Sequence, residues 1–225
     1  MPRRRPQVLF VLLWLVLPAA SVHAQAGVEE SLRRIFASRD FMPDRFGPAR
    51  WLEEGAAYTT LEPSASHRGA LDIVRYETAN GRRSVLVSAA ELVPPGATEP
   101  LRVEGYSWSP DGGKLLVFTN GERVWRDETR GDYWVLDRRT GALRQLGGPE
   151  APPSSLMFAK FSPQGDRVAY VRGGNLYVER LADGRITALT SDGSRTRVNG
   201  TTDWVYEEEF GLRDGFRWSP DGKRI

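Results

Sequence analysis

Three five-residue words constrain this chain more than anything else in it. Trp108–Ser109–Pro110–Asp111–Gly112, Phe161–Ser162–Pro163–Gln164–Gly165 and Trp218–Ser219–Pro220–Asp221–Gly222 share the pattern aromatic-Ser-Pro-x-Gly. Trp51, in the run from Pro48 to Gly55, reads as a degenerate first copy, and the aromatic-to-aromatic intervals are 57, 53 and 57 residues. Each word is a turn, since proline fixes φ and glycine takes the position that needs φ > 0. A turn that recurs with a period near 50, with several strands per unit, is the pattern of β-propeller blades.

The order within a unit repeats as well. The first complete word is followed by apolar runs at Leu115–Thr119 and Tyr133–Leu136, a turn at Thr140–Gly141 and a closing run at Leu143–Leu146. The second is followed by Val168–Val171, Leu176–Val178, a turn at Asp183–Gly184 and Ile186–Leu189. Ahead of both, Leu71–Tyr76 and Ser84–Val87 flank an Asn80–Gly81 hairpin signal. The expected fold is all-β: an incomplete propeller over 46–225 with about three four-stranded blades and the start of a fourth. Trp108 and Phe161 are expected to pack within or between blades and to do no chemistry. The chain stops at Ile225, where the strand after the third word should begin, so it is expected to be the N-terminal part of a longer protein.

Composition narrows the function. There are no cysteines, which excludes disulfides, thiolate metal sites, a cysteine nucleophile and a lipid-modified cysteine anchor. The 31 basic residues nearly balance 29 acidic ones, and three of the basic ones, Arg3, Arg4 and Arg5, lie at the extreme N-terminus. The remainder is close to neutral and offers no footprint for nucleic acid. The pairs Arg33–Arg34, Arg82–Arg83 and Arg138–Arg139 read as solvated faces. No phosphate loop, nucleotide motif or metal-ligand constellation occurs, and no cofactor is expected.

Residues 1–24 have the layout of an export signal. Arg3–Arg5 are its charged region, Val8–Leu17 its apolar core, and Val22–His23–Ala24 a small-x-small cleavage site. Ala24–Gln25–Ala26 is a second candidate site. Cleavage and an exported, periplasmic or extracellular protein are expected, with an uncleaved membrane anchor as the alternative. Within 25–45, Val28, Leu32, Ile35 and Phe36 recur at helical spacing, which predicts one short amphipathic helix and a linker.

The chemistry concentrates in Asp203–Trp204–Val205–Tyr206–Glu207–Glu208–Glu209–Phe210. On charge pattern alone, the stretch suits a solvated helix start, where acidic residues meet the positive end of the dipole. The alternative is a cation receptor, most simply for a primary ammonium, which has three donors and no acceptor. At an effective dielectric near 20, a carboxylate about 4 Å away would attract it by ~4 kcal/mol before desolvation.

This stretch, followed by Phe216–Arg217–Trp218–Ser219–Pro220–Asp221–Gly222, resembles the glutamate motif of the dipeptidyl peptidase IV group in the prolyl oligopeptidase family, bacterial members included. The resemblance extends over 28–225. It implies that Glu208 and Glu209 hold the N-terminal ammonium of a peptide substrate, with Glu207 an outward, supporting member. In that family the motif projects from an eight-bladed propeller toward an α/β-hydrolase domain. Trp125–Arg126, with Tyr133 and Asp137 at the spacing W-R-x6-Y-x3-D, resembles the family's arginine-bearing segment. The resemblance makes Arg126 a donor to the substrate's backbone carbonyl, whereas from its neighbours alone it reads as a strand-end partner of Asp127, Glu128 or Glu122.

A serine peptidase also needs a nucleophile, a base and an orienting acid. No G-x-S-x-G elbow occurs here, and the two histidines are His23 in the leader and His67 in a polar loop. The catalytic triad and its domain are therefore expected outside this chain, which alone should be inactive. The implied function is substrate recognition in a secreted serine dipeptidyl aminopeptidase, its partners being peptides with a free N-terminus and the chain's own catalytic domain. The full-length enzyme is a candidate homodimer, and the dipeptide preference stays open because Phe210–Gly211–Leu212 departs from the animal enzymes. The competing expectation is a non-enzymatic periplasmic propeller with TolB-like repeats that serves as a protein-binding scaffold.

Overall fold

A computed structural model describes residues 20–43 and 47–225, with side chains of the first helix from Gly27 onward. Most of the expected leader lies outside the described residues. Residues 1–45 and 46–225 form two units. In the first, helix α1 runs Ala20–Phe36, with Arg33 paired to Glu29 one turn back and Arg34 to Asp40 beyond its end. Among the described residues no helix is long and apolar enough to cross a membrane.

The second unit is built from antiparallel strands. Strands β1 (Arg50–Leu52), β2 (Ala57–Pro63), β3 (Leu71–Glu77) and β4 (Arg83–Val87) form one four-stranded meander. Strands β5 (Gly105–Trp108), β6 (Lys114–Val124), β7 (Asp127–Asp137) and β8 (Ala142–Gln145) form a second. A third comprises β9 (Leu156–Phe161), β10 (Arg167–Arg172), β11 (Asn175–Arg180) and β12 (Ile186–Ala188). The second and third merge into one eight-stranded sheet because β7 pairs with β9 at Arg130↔Met157 and Gly131↔Leu156. The central hairpin of the second meander is longer than its apolar runs suggest, with 11 residues in each of β6 and β7.

The repeated word is also a repeated structure. In all three copies the serine N–H donates to the carbonyl five residues on, and the glycine N–H donates back to the serine carbonyl. The glycines Gly112, Gly165 and Gly222 sit at φ 65°, 68° and 64°, where a Cβ would crowd the following carbonyl. The serine hydroxyl donates to Asp111 at 2.6 Å in the first copy and to Asp221 at 2.6 Å in the third. The second copy has Gln164 in that place, and its serine reaches instead to Asp166, one residue past the glycine, at 2.8 Å. Gln164 donates its freed amide to the Asp221 carbonyl at 3.0 Å, tying one turn to the next.

Burial on both faces explains the apolar runs. Successive side chains of a strand point to opposite faces. Leu115 and Val117 of β6 enter one core with Ile73, Val87 and Tyr106, while Leu116 between them enters another with Tyr133, Val168 and Tyr170. In β10, Val168 and Tyr170 face that second core, and Ala169 and Val171 face a third with Leu176 and Phe216. The second and third meanders thus each separate two cores, and the first packs one face on the second. The aromatic of the word helps join them: the Trp108 indole donates to Thr59 of β2 at 3.0 Å, and Trp218 donates to the Lys160 carbonyl at 3.3 Å.

The turn carboxylates should make the fold acid-sensitive. The Ser109 hydroxyl and then the Gly113 amide hold Asp111 below its ordinary 3.8, and Ser219 with the Lys223 amide does the same for Asp221. A carboxylate depressed in the folded state stabilises fully above its unfolded pKa and loses that contribution as pH falls through the folded value. The melting temperature should therefore stay level from neutral pH down to about 5 and fall below about 4. Ser109→Ala should shrink that acid limb. A melt series in which wild type and variant run parallel from pH 7 to 2 would show that the serine is not the cause.

Candidate functional site

The acidic stretch folds as helix α2, Trp204–Phe210. Asp203 caps it, its carboxylate accepting from the Val205 and Tyr206 amides at 3.1 Å each. Gly211 ends it at φ 63°, in the left-handed conformation that glycine adopts without a steric penalty. Seven residues are too few for a helix to persist alone in water. A stem holds it: Thr201 bridges to Asp214, Thr202 donates to the Leu212 carbonyl at 2.7 Å, and Gly215 donates to Gly200 at 2.9 Å. Lys160 of β9 anchors the stem through Asp214 and the Phe216 carbonyl.

The tip of the β6–β7 hairpin meets this helix. Its turn is Trp125–Arg126, with Trp125 at φ 56°. Arg126 Nε donates to Glu208 at 2.7 Å, joining residues 82 positions apart. Asp127, next along, pairs with Arg213 just past α2. Arg126 thus reaches a partner across the sequence rather than the neighbours Asp127, Glu128 or Glu122, and Glu122 is taken by Arg130 at 2.6 Å. Both pairs are solvent-exposed, so each holds by only ~0–1 kcal/mol. That is weak enough for a bound cation to rearrange them.

Helical geometry sorts the three glutamates. Adjacent residues lie about 100° apart around the axis, so Glu207 and Glu209 fall on nearly opposite faces. Glu207 is the inward one, with 8% of its surface exposed. This corrects the expectation that Glu207 points outward: the helix turns its acid in and leaves Trp204, Tyr206 and Phe210 exposed. Glu209 faces solvent, and its carboxylate makes no ion pair or hydrogen bond among the described residues. Glu208 lies between, one oxygen engaged by Arg126.

Beneath α2 and the hairpin tip lies a pocket of about 450 Å³, its walls including Val124, Met157, Phe158, Val171 and Val198. Glu207 lines it, and its Oε1 is buried without a hydrogen-bond partner. Neither the pocket nor the Asp127–Arg213 pair is foreseen from the sequence. His67 sits in a loop beside Ser66, at 3.1 Å. Among the described residues no group of three histidine or carboxylate side chains is arranged to hold a metal ion.

The family model described as the dipeptidyl peptidase IV (DPP IV) N-terminal region matches residues 109–225. The chain belongs to this family. The probable dipeptidyl-aminopeptidase B of Talaromyces marneffei is 38% identical over 132 residues, 58% of this chain and 14% of that protein. Dipeptidyl-aminopeptidase B of Aspergillus niger is 38% identical over 118 residues, 52% of this chain and 13% of the relative. The crystal structure of Porphyromonas gingivalis dipeptidyl peptidase 4 matches with a TM-score of 0.65 at 30% identity, covering 77% of this chain and 24% of that one. The all-β architecture of this DPP IV-type region is thus shared with a solved relative. The chain spans about a seventh of the length of the curated relatives.

Proposed function

We propose that this chain is the substrate-gripping region of an exported serine dipeptidyl aminopeptidase, its three meanders serving as blades of a propeller. Glu208 and Glu209 receive the ammonium of a peptide's free N-terminus, and Arg126 donates to the adjacent backbone carbonyl. The observation that carries this reading is the Arg126–Glu208 ion pair, which joins two functional candidates from distant segments at one exposed spot. Glu209 and the second oxygen of Glu208 remain as acceptors, while a guanidinium, which does not deprotonate, suits a carbonyl. The nucleophile, base and orienting acid belong to an α/β-hydrolase domain outside residues 1–225. The exposed Trp204, Tyr206 and Phe210 offer that domain an apolar face.

The test is binding, which needs no catalytic domain. Calorimetry of the full chain with a free-amine tripeptide and its N-acetyl twin should show the free amine binding at least ~tenfold more tightly, the factor that 1.4 kcal/mol supplies. Equal affinity for the two peptides would remove the ammonium assignment.

A further inference from the structure

The pocket beneath α2 is distinct from the exposed glutamate site and faces the opposite side of the helix. Its walls are chiefly apolar, yet Glu207, more than nine-tenths buried, presents an oxygen with no donor to it. A buried polar atom left unpaired is costly, and more so when it belongs to a carboxylate. A native fold that keeps one usually supplies the missing donor from a ligand or water.

The surroundings define the donor's charge. Asp203 and Glu207 both line the pocket, with Arg213 as the cation beside them. The Asp203 carboxylate is already engaged in capping the helix, and the Arg213 guanidinium is held by Asp127. Two carboxylates therefore face the space against one guanidinium that is neutralised from outside it. The balance is negative, and the vacant acceptor is Glu207 Oε1.

We propose that this pocket is a second binding site, for a small organic cation with an apolar body and an ammonium or amidinium head. The head donates to the Glu207 carboxylate, and the body lies against Met157, Phe158, Val171 and Val198. A volume of about 450 Å³ is in the range of small-ligand pockets and holds a single ring with room to spare. The site takes the cation from the interior side of α2, whereas Glu208 and Glu209 are exposed.

Benzamidine and its neutral near-isostere benzamide separate this site from the alternatives. Titrated into the full chain by calorimetry or by ligand-observed magnetic resonance, benzamidine should bind at least ~tenfold more tightly than benzamide. Glu209→Gln, which weakens the peptide site, should keep a benzamidine preference, and adding Glu207→Gln should erase it. Val198→Trp, which fills the pocket and keeps the carboxylate, should remove binding of both compounds while the melting transition persists, which guards against misreading a Glu207 variant that fails to fold. Equal affinity of the two probes would mean that water alone satisfies Glu207. Loss of the difference in Glu209→Gln but not Glu207→Gln would place the amidinium in the peptide site. Either result overturns the proposal.

Discussion

Replacing Glu179 with alanine should lower the melting temperature by about 6–12 °C, from a loss of ~3 kcal/mol. Glu179 sits in β11 with 1% of its surface exposed, between the second and third meanders. Its carboxylate accepts from Arg144 at 2.5 Å, from the Gly147 amide at 2.9 Å and from the Tyr170 hydroxyl at 3.3 Å. Removing it strands a buried amide and a buried hydroxyl, and each unpaired group costs about 1–3 kcal/mol. Arg144 adds to that cost, because its Nη2 is already buried without a partner even though about a third of the side chain reaches solvent. Burial, and then the Glu179 charge, push the Tyr170 hydroxyl well above its ordinary pKa, so it remains a donor throughout the accessible pH range. Glu179→Gln keeps one acceptor oxygen and should fall between wild type and alanine. Glu128→Ala on the exposed hairpin should move the transition by no more than ~1–2 °C. If Glu179→Ala melted within that same margin, the buried bridge would not be what couples the two meanders.

Glu179 also shows what a sequence conceals. Glu179 directly follows the apolar run Leu176–Val178, and nothing in that order marks it as buried. Only the packing of β8 and the Gly147 turn against Glu179 buries it, and those partners lie 35 and 32 positions away. The repeat itself was legible because its turns are local: serine, proline and glycine act on backbone within five residues. The apolar runs in the strand cores were legible for the same reason, each fixed by burial on both faces. The outer half of the β6–β7 hairpin was not. From Glu122 to Arg130 its residues are exposed or half-buried and form no apolar run, so the pattern does not mark them as strand. Its reach is nonetheless what delivers Arg126 to Glu208. The orientation of Glu207 was hidden too, since three identical side chains carry no mark of which one meets Val124 and Phe158.

In the protein joined to its proposed hydrolase domain, Glu208→Gln and Glu209→Gln should each lower kcat/KM for free-amine dipeptidyl substrates by about one to two decades. Each removes one charge while nearly preserving shape, and hydrogen bonds to charged groups contribute roughly 1.5–3 kcal/mol. The two changes should differ in one respect. Glu209 makes no ion pair among the described residues, so its loss acts on the ammonium, whereas losing the Glu208 charge also releases the Arg126 guanidinium held at 2.7 Å. Glu208→Gln should therefore carry a weaker salt dependence than wild type, because an exposed ion pair screened over roughly 10 Å at 0.1 M salt has been removed. Glu207→Gln should leave the preference for a free amine intact, since its carboxylate faces the interior pocket. Acetylating the substrate amine should remove the wild-type preference and collapse the gap between wild type and the two variants. Equal losses on free and acetylated substrates would mean that Glu208 and Glu209 shape the helix rather than hold the ammonium.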